Sequence, residues 1–388
     1  MDAMIEAEPR PREAPRVALA HDWLVGMRGG ERVLDRLARL YGPTDLYTLL
    51  DSGVVLTDAI AACRVHPSAL QRFPRATGAW RRHYLPLMPW AVGRLRVAPC
   101  DLLISTSSAV MKSIRPPDGV PHLCYCHSPA RYLWEQSADY AGGAGGRLRS
   151  LGLTLTGPAF RRWDRRTAGR VTRFLANSAH TAARIKRCYG RRAAVVHPPV
   201  RTAYFTPDPS VEREDWLLVV SALEPYKRVD RVIEAARQGG FALRIAGSGS
   251  QAETLEKAVA NVPNVQMLGG VDDPTLRDLY RRAAGLVFPQ LEDFGIVPVE
   301  AMACGCPVAA FVPPIDDPRG RGGAAETVTD DSGVFFDEQT PGAIAQAVTR
   351  LVATPPRADA CRTQAERFAE SVFDAAVTRH VEEMLAGG

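Results

Sequence analysis

The chain has 388 residues, a length that suggests two domains. With 46% hydrophobic and 23% charged residues, it has the composition of an ordinary globular protein. No run of about 18 apolar residues occurs, so we expect no transmembrane helix. Residues 1–16 are acidic, rich in proline and without the apolar centre of a signal peptide, which predicts a disordered tail over 1–15 and a cytoplasmic protein.

Basic residues are concentrated in the first half of the chain. Residues 72–192 include 22 Lys and Arg but only 5 Asp and Glu, whereas the whole chain has 48 and 43. This imbalance predicts an anionic partner such as a lipid phosphate or lipid headgroups, and so a peripheral contact with the inner face of the plasma membrane. The alternative is a solvated basic face without a ligand. We expect no nucleic-acid partner.

The first half begins the alternation of short apolar segments with helical patterns. A helix is predicted over 31–40, because Val33, Leu34, Leu37 and Leu40 fall on one side of it. Brief segments that are rich in Val, Leu and Ile, or bounded by turn residues, are predicted to be strands: 16–20, 101–106, 122–127 and 173–177.

The second half continues the alternation, which predicts an α/β fold with parallel sheets covered on both faces. A proline-rich segment, 198–214, is the predicted boundary between domains 16–199 and 200–361. Two such sheets would turn the carboxyl ends of their strands to a common cleft, where ligands bind. The predicted strands are 216–223, 242–246, 265–268, 285–288 and 307–311, and the predicted helices are 229–237, 251–260 and 276–283.

Eight cysteines are scattered through the chain. Cys124 and Cys126 are separated by one residue, as are Cys304 and Cys306, and neither pair has the spacing of a zinc site. We therefore expect buried, reduced thiols and no metal site.

The segment from Glu292 to Gly305 follows a predicted strand and is the most informative of the chain. Pro298 suits the first turn of a helix and Gly305 suits its end, so Glu292 is predicted in the preceding loop and Glu300 in the first helical turn. Both carboxylates can accept hydrogen bonds from hydroxyl groups, although an exposed loop acid and a helix-terminal charge would also explain them. Backbone N–H groups ahead of this helix are the predicted seat of an anion, those of Phe294, Gly295 and Ile296.

This segment resembles the Glu-x7-Glu signature of retaining glycosyltransferases of family 4, the group 1 glycosyl transferases, which have the GT-B fold. The resemblance covers most of residues 16–336. It implies two Rossmann-like, doubly wound domains facing a central cleft, the first on the acceptor side and the second binding the nucleotide-sugar. It further implies that 362–388 forms a helix crossing back to the first domain, that Glu300 holds the ribose, and that Glu292 contacts the donor sugar.

A second motif runs from Ser221 to Arg228 between a predicted strand and a helix. Lys227 and Arg228 can neutralise a diphosphate there, and the alternative is a pair of solvated basic residues. The family commonly has an Arg five residues before this Lys, but Ala222 stands at that position, so diphosphate binding rests on Lys227 with Arg228 as a substitute. Val271 matches the region that frames the nucleobase in the family.

Two segments of the first half point to the same cleft. Gly29 and Gly30 allow the backbone to approach phosphate closely, and the resemblance places them opposite the donor diphosphate, although a plain turn would also explain them. His127, by itself compatible with a structural role, resembles the His of transferases that use mannose-type donors to build bacterial surface polysaccharides. The resemblance implies that it lies beside the donor sugar. Arg131 and Trp134 are predicted to line the acceptor entrance.

The sequence thus predicts a retaining glycosyltransferase with His127, Glu292 and Lys227 as catalytic residues. The donor is a nucleotide-sugar, with GDP-mannose favoured and UDP-glucose as an alternative, and the acceptor is a glycan or a polyprenyl- or lipid-linked glycan. No Asp-x-Asp occurs, so we expect no essential metal and no cofactor. Lys227, Arg228 and helix N-termini are then expected to meet the diphosphate charge.

Other functions remain open at this point. The segment from Gly247 to Ala252 reads Gly-x-Gly-x-x-Ala between a strand and a helix, which would suit a NAD-dependent oxidoreductase. The acidic residue expected at the end of the next strand is not clear. A sugar-nucleotide epimerase or phosphorylase of the same fold, and a non-catalytic membrane-binding protein, are the further alternatives.

Overall fold

The computed structural model of the protein describes residues 15–27, 29–54, 56–134 and 146–387, without the side chains of 79, 80, 82 and 146–156. The predicted tail therefore lies, apart from residue 15, outside the described residues. Within them the strands form two sheets in which every pairing is parallel. The predicted α/β architecture is confirmed.

The first sheet has, over the described ranges, seven strands in the order β3-β2-β1-β4-β5-β6-β7. Successive residues of a strand point to opposite faces, and in β1 Ala18 and Ala20 pack on one face while Val17 and Leu19 pack on the other. Both faces are thus covered by apolar side chains. The strands are β1 Val17–Leu24, β2 Asp45–Asp51, β3 Arg64–Pro67, β4 Leu102–Ser107, β5 His122–Cys126, β6 Arg173–Ala176 and β7 Ala193–Val195.

The second sheet has the order β10-β9-β8-β11-β12-β13 over the same described part of the chain. In β8, Leu217 and Val219 pack on one face and Leu218 on the other, so this sheet is also buried on both sides. The strands are β8 Leu217–Val220, β9 Leu243–Ala246, β10 Val265–Gly269, β11 Gly285–Phe288, β12 Val308–Phe311 and β13 Gly333–Phe336.

Helices cover the faces of both sheets. In the first half they are α1 Gly29–Tyr41, α2 Asp58–Ala61, α3 Met88–Gly93, α4 Arg131–Trp134, α5 Gly146–Ala168 and α6 Ala179–Tyr189. In the second half they are α7 Val229–Gly239, α8 Ala252–Val259, α9 Asp273–Arg282, α10 Ile296–Ala303, α11 Ala324–Thr327, α12 Pro341–Ala353, α13 Ala358–Glu366 and α14 Glu370–Ala386. In the part of the chain that the structure describes, no helix has both the length and the apolar character needed to cross a bilayer.

Every predicted strand has a counterpart in a sheet, but β2, β3, β7 and β13 were not predicted. Three of these lie at sheet edges, where strands are short and polar side chains face solvent, as the exposed ends of β3 illustrate. β2 is buried, but Asp45 and Asp51 at its ends obscure its apolar centre. The eight cysteines, all in described ranges, are buried and form no disulfide, as predicted.

The last helix returns to the first sheet. Phe373 and Val377 of α14 are buried in the same cluster as Leu34 and Leu37 of α1. The connection between the two sheets lies between β7 and β8, a region that includes the predicted boundary. The exact domain limits stay a prediction.

Candidate active site between the two sheets

Both sheets reverse their strand order at one point, between β1 and β4 in the first and between β8 and β11 in the second. The loops that leave the carboxyl ends of neighbouring strands diverge there, which opens a crevice in which ligands of doubly wound sheets bind. The predicted Gly29, Lys227 and Glu292 all lie in or directly after loops that leave these four strands. The topology therefore brings together motifs that are up to 263 residues apart in the numbering.

Lys227 and Glu292 form an ion pair across the second sheet's crevice. Lys227 ends the short 3-10 turn Pro225–Lys227 that follows β8, and Glu292 lies in the loop that follows the adjacent β11. Their side chains are 12% and 22% exposed, so each keeps one side open to the cleft. A cation and a carboxylate held side by side can contact the phosphate and the hydroxyls of one ligand.

Glu300 lies in α10, whose first residue follows Gly295. Gly295 has φ of +85°, and a Cβ there would lie 3.1 Å from the ring of Phe288, so the sharp entry to this helix requires glycine. Glu300 is buried, with its Oε2 accepting from the Tyr280 hydroxyl at 3.3 Å. Burial raises the pKa of this carboxyl above its ordinary 4.5 against the opposing charge of Arg32.

Arg32 was missed by sequence reasoning. Its Nη1 lies 3.6 Å from Glu300 Oε1, and its Nη2 lies 3.9 Å from Asp273 of α9, so it reaches from the first half to two carboxylates of the second. Its position in α1 could have revealed it, because Arg32 is three residues after Gly29 and hence on the same side of the helix. A Cβ on Gly29 would lie 3.2 Å from Ile296 Cδ1, which shows that α1 and α10 begin side by side.

His127 lies directly after β5 and faces the glycine turn. A Cβ on Gly30 would lie 3.5 Å from His127 Nε2, so a larger residue would crowd the imidazole. Among the described residues this nitrogen is buried without a hydrogen-bond partner. Burial, and then the charge of His21, lower the pKa of His127 to about 4, so the ring is neutral at neutral pH and offers a hydrogen bond rather than a charge.

Two family models match this chain. Glycosyltransferase Family 4 matches residues 27–204 and Glycosyl transferases group 1 matches residues 200–368. The two matches meet in the connection between the sheets. The chain belongs to the glycosyltransferases of group 1 and family 4.

The curated relatives of this glycosyltransferase include a GDP-mannose-dependent alpha-(1-6)-phosphatidylinositol monomannoside mannosyltransferase of Mycolicibacterium smegmatis. It is 34% identical over 216 residues, which cover 47% of this chain and 53% of the relative. A D-inositol 3-phosphate glycosyltransferase of Thermomonospora curvata is 30% identical over 259 residues, 56% of this chain and 57% of the relative. The glycosyltransferase thus spans about half the length of the curated relatives it matches.

Solved structures extend the likeness over nearly the whole chain. Sucrose-phosphate synthase from Thermosynechococcus elongatus has a TM-score of 0.70 at 17% identity and covers 96% of this chain and 100% of its own. The Anabaena protein HepE, in complex with UDP and glucose, has a TM-score of 0.69 at 16% identity, covering 95% and 100%. At such identities the likeness shows the fold, and the predicted GT-B architecture is confirmed.

Other predicted site residues of the glycosyltransferase lie at the edge of this arrangement. Phe294 is buried, with its ring centroid 5.5 Å from that of His197 and 5.6 Å from that of Phe368, so its side chain belongs to the core. Val271 is partly buried against the same core. Arg228 has a left-handed backbone, φ +58°, and lines a groove between α7 and α8. Their roles in donor binding stay predictions.

The predicted acceptor residues make contacts within the protein. Arg131 forms an ion pair with Asp293, which follows Glu292 in the chain. The Trp134 indole donates a hydrogen bond to Asp164 at 2.8 Å, a buried carboxylate that also pairs with Lys112. These contacts account for both side chains without an acceptor, whose binding to them stays a prediction.

The glycine-rich turn at Gly247 and Gly249 has a packing explanation. A Cβ on Gly247 would lie 1.8 Å from the Ser221 carbonyl oxygen, and a Cβ on Gly249 would lie 2.4 Å from the Leu223 carbonyl oxygen. Both glycines are needed because two loops of the glycosyltransferase touch there. The oxidoreductase alternative therefore loses the observation on which it depended.

Asp22, at the end of β1, was also missed by sequence reasoning. Its buried carboxylate accepts hydrogen bonds from the backbone N–H groups of 108–111 at 2.6 to 3.0 Å. The nearby Glu31 lies 3.6 Å from His21. Burial raises the pKa of Glu31, but the hydrogen bond with His21, the charge of that ring and a backbone hydrogen bond together outweigh burial, so the pKa is lowered. These contacts fix the loops around the switch point of the first sheet.

Proposed function

We propose that this protein transfers a hexose from a nucleotide-sugar onto a glycan or a lipid-linked acceptor, with mannose from GDP-mannose as the preferred donor. The observation that carries the proposal is the meeting of Lys227, Glu292 and Glu300 at the switch point of one sheet with Gly29 and His127 of the other. Family membership agrees with it, since the relatives and the fold neighbours include glycosyltransferases.

In this proposal the ribose, the diphosphate and the sugar of the donor each contact a chemically suited group. The Glu300 carboxylate accepts hydrogen bonds from the ribose, and Glu292 accepts them from hydroxyls of the sugar. Lys227 and the free N–H groups at the start of α10, preceded by Gly295, neutralise the diphosphate, which suits a helix N-terminus. Neutral His127 hydrogen-bonds the sugar from the opposite side.

The reaction breaks the bond between the anomeric carbon and the diphosphate oxygen. Negative charge grows on the departing nucleoside diphosphate, so Lys227 and the N–H groups stabilise the transition state more than the bound donor. We propose that the acceptor hydroxyl attacks on the face from which the diphosphate leaves. Its oxygen bonds to the anomeric carbon while its proton passes to a phosphate oxygen. Because attack and departure take place on the same face, the configuration of the anomeric carbon is retained.

The proposed donor and acceptor rest on similarity to named relatives and on the positive charge of the first half. Two mannosyltransferase relatives are named as GDP-mannose-dependent, and their named acceptors are phosphatidylinositol monomannosides. The basic segment 72–192 would attract an anionic acceptor or an anionic membrane surface. We therefore propose a phosphate-bearing, lipid-linked glycan as acceptor and a peripheral contact with the membrane.

A thermal-shift experiment with GDP, UDP, ADP and NAD tests the nucleotide. A ligand present at about 100 times its Kd stabilises the fold by about 2.7 kcal/mol, which is readily measured. We expect GDP or UDP to raise the melting temperature, and Glu300→Gln and Lys227→Met to weaken that shift.

Incubation with GDP-mannose or UDP-glucose and product analysis then tests transfer. A response to NAD alone, or none to the four nucleotides, would contradict the proposed function.

A further inference from the structure

Asp293 joins the two halves of the molecule. It lies in the loop between β11 and α10, directly after Glu292, and its carboxylate forms ion pairs with Arg131 of α4 and Arg184 of α6. His180 Nε2 lies 3.8 Å from the same carboxylate. Three basic side chains of the first half thus meet one acidic side chain of the second.

The ion pair between Arg184 and Asp293 is removed from solvent. The side chain of Arg184 is 2% exposed and that of Asp293 is 10% exposed. Burial alone raises the pKa of Asp293, but the charges of Arg131 and Arg184 outweigh it and hold the pKa at about 2. The Asp293 carboxylate is therefore ionised at neutral pH, and removal of either Arg184 or Asp293 leaves a buried charge.

The two arginines are attached to segments next to the cleft. Arg131 is four residues after His127 and begins α4, directly after the turn that follows β5. Arg184 belongs to α6, and Asn177, two residues before that helix, donates from its amide to the His127 carbonyl oxygen at 3.0 Å. Both arginines that pair with Asp293 thus belong to segments that follow or contact the turn that carries His127.

A second contact between the halves supports the same arrangement. The Glu326 carboxylate accepts hydrogen bonds from the backbone N–H groups of Ala179 and His180, at 2.8 and 3.0 Å. These are the first two residues of α6, where a negative charge is favourable. The start of α6 is therefore fixed against the second half at two points.

We propose that Asp293, Arg131 and Arg184 are positioning residues that set the distance between the His127 turn and the Glu292 loop across the cleft. The chemical consequence rests on the proposed function, since His127 and Glu292 are there the groups that contact the sugar. The geometric consequence does not, because it concerns only how closely the two halves are held.

The geometry is tested by distance measurement between spin labels. All eight native cysteines are buried, so labels can be directed to Arg64→Cys on β3 and Lys257→Cys on α8, two exposed positions in different halves. We expect Asp293→Asn, which keeps the side-chain volume, to broaden the distance distribution between the labels. An unchanged distribution in the folded variant would overturn the proposal.

Turnover is tested with the same variant and the donor that the nucleotide screen identifies. We expect kcat to fall by about 10- to 100-fold, because small misplacement of reacting groups is costly. We expect the donor KM to change by less than about threefold, since Glu300 and Lys227 are intact. A rise in KM with kcat unchanged, or no change in either constant, would count against positioning.

Arg131→Met provides a variant at a partly exposed site, which removes the charge without emptying the core. It should reproduce the loss of kcat, and adding it to Asp293→Asn should cause little further loss, because both break one contact. Additive losses would overturn the coupling. Arg131→Lys should recover part of kcat, since it keeps the charge.

Asp374→Asn is the matched control. Asp374 of α14 pairs with Arg36 of α1, so its loss breaks an ion pair of similar exposure that does not include the Glu292 loop. We expect kcat and the label distances to remain as in the parent protein, and an equal loss of kcat would overturn the proposal. If the parent protein binds no nucleotide, the proposed function fails while the distance measurement still decides the positioning.

Discussion

The two sides of the cleft contribute opposite charges to the ion pairs that join them. The first half contributes Arg32, Arg131 and Arg184, and the second contributes Asp273, Asp293 and Glu300. Each of these arginines lies within ion-pair distance of a carboxylate from the other half. Of these pairs, Arg184 with Asp293 is buried and little screened by salt, whereas Arg32 with Asp273 is partly exposed and contributes less.

The two sides also differ in how their polar residues are held. In the first half, Asp22 and the Lys112–Asp164 pair are buried and bind their own domain's backbone or side chains. In the second half, Lys227 and Glu292 pair with each other beside the open cleft. We therefore expect substitutions of the first kind to change stability, and substitutions of the second kind to change activity.

Lys112→Met is expected to have the largest effect, on stability. Lys112 is 1% exposed and its Nζ lies 2.7 Å from Asp164 Oδ1, so its removal leaves a buried carboxylate without its cation. We expect a loss of about 3–5 kcal/mol in the free energy of unfolding, measured by urea denaturation. The exposed Lys186→Met should change it by less than about 0.5 kcal/mol. Equal effects would remove the contrast between the two sides.

Lys227→Met is expected to lower kcat by about 10²–10³-fold while leaving stability nearly unchanged. The departing diphosphate loses the cation that stabilises its growing charge. Steady-state kinetics with the active donor measure the effect. Lys257→Met, an exposed lysine of the same half, should leave kcat unaltered. A variant with normal kcat would show that the diphosphate charge is met elsewhere.

Asp22→Asn is expected to lower the free energy of unfolding by about 2–3 kcal/mol, because an amide group replaces one oxygen that accepts from backbone N–H groups. Chemical denaturation measures this change, with the exposed Asp118→Asn as its control. A neutral result would mean that the loop after β4 holds its conformation without this carboxylate.

Glu300→Gln is expected to weaken nucleotide binding by about 10- to 100-fold, the effect of one charge-assisted hydrogen bond. Because burial raises the pKa of Glu300, the parent protein should lose affinity as pH falls through a value above 4.5, whereas the variant should be insensitive. With respect to folding, the raised pKa means that this group alone lowers stability as pH rises through the same window. Calorimetric titration at several pH values checks the difference. A parallel pH dependence in both proteins would exclude Glu300 as its origin.

The sequence was most informative where the backbone conformation is decided by residues close together in the chain. The strand, loop and helix around Glu292 and Glu300 follow from an apolar run, Pro298 and Gly305, which lie within about 20 residues of one another, and the structure has these elements in that order. The helix after Gly30 follows in the same way from its apolar side. In both places the backbone conformation depends on neighbours in the chain, which a sequence pattern can register.

The edge strands and the ion pairs were not predictable in this way. β3 and β7 owe their conformation to pairing with strands that lie next to them only in the fold. Trp134 was predicted to line the acceptor entrance, which stays a prediction, and its hydrogen bond to Asp164, 30 residues away in the chain, was not predicted. Nothing in the residues near Trp134 indicates that a buried carboxylate lies beside it.

The sequence by itself determined the fold class, the family and the positions at which Lys227, Glu292 and Glu300 enter their loops and helix. The tertiary structure alone decided which charges meet: Arg32 with Glu300, and Arg131 and Arg184 with Asp293. The reason is physical. Hydrophobic periodicity and turn chemistry act over a few residues, whereas a buried ion pair depends on the position of groups that only the packing of two sheets brings within a few ångströms.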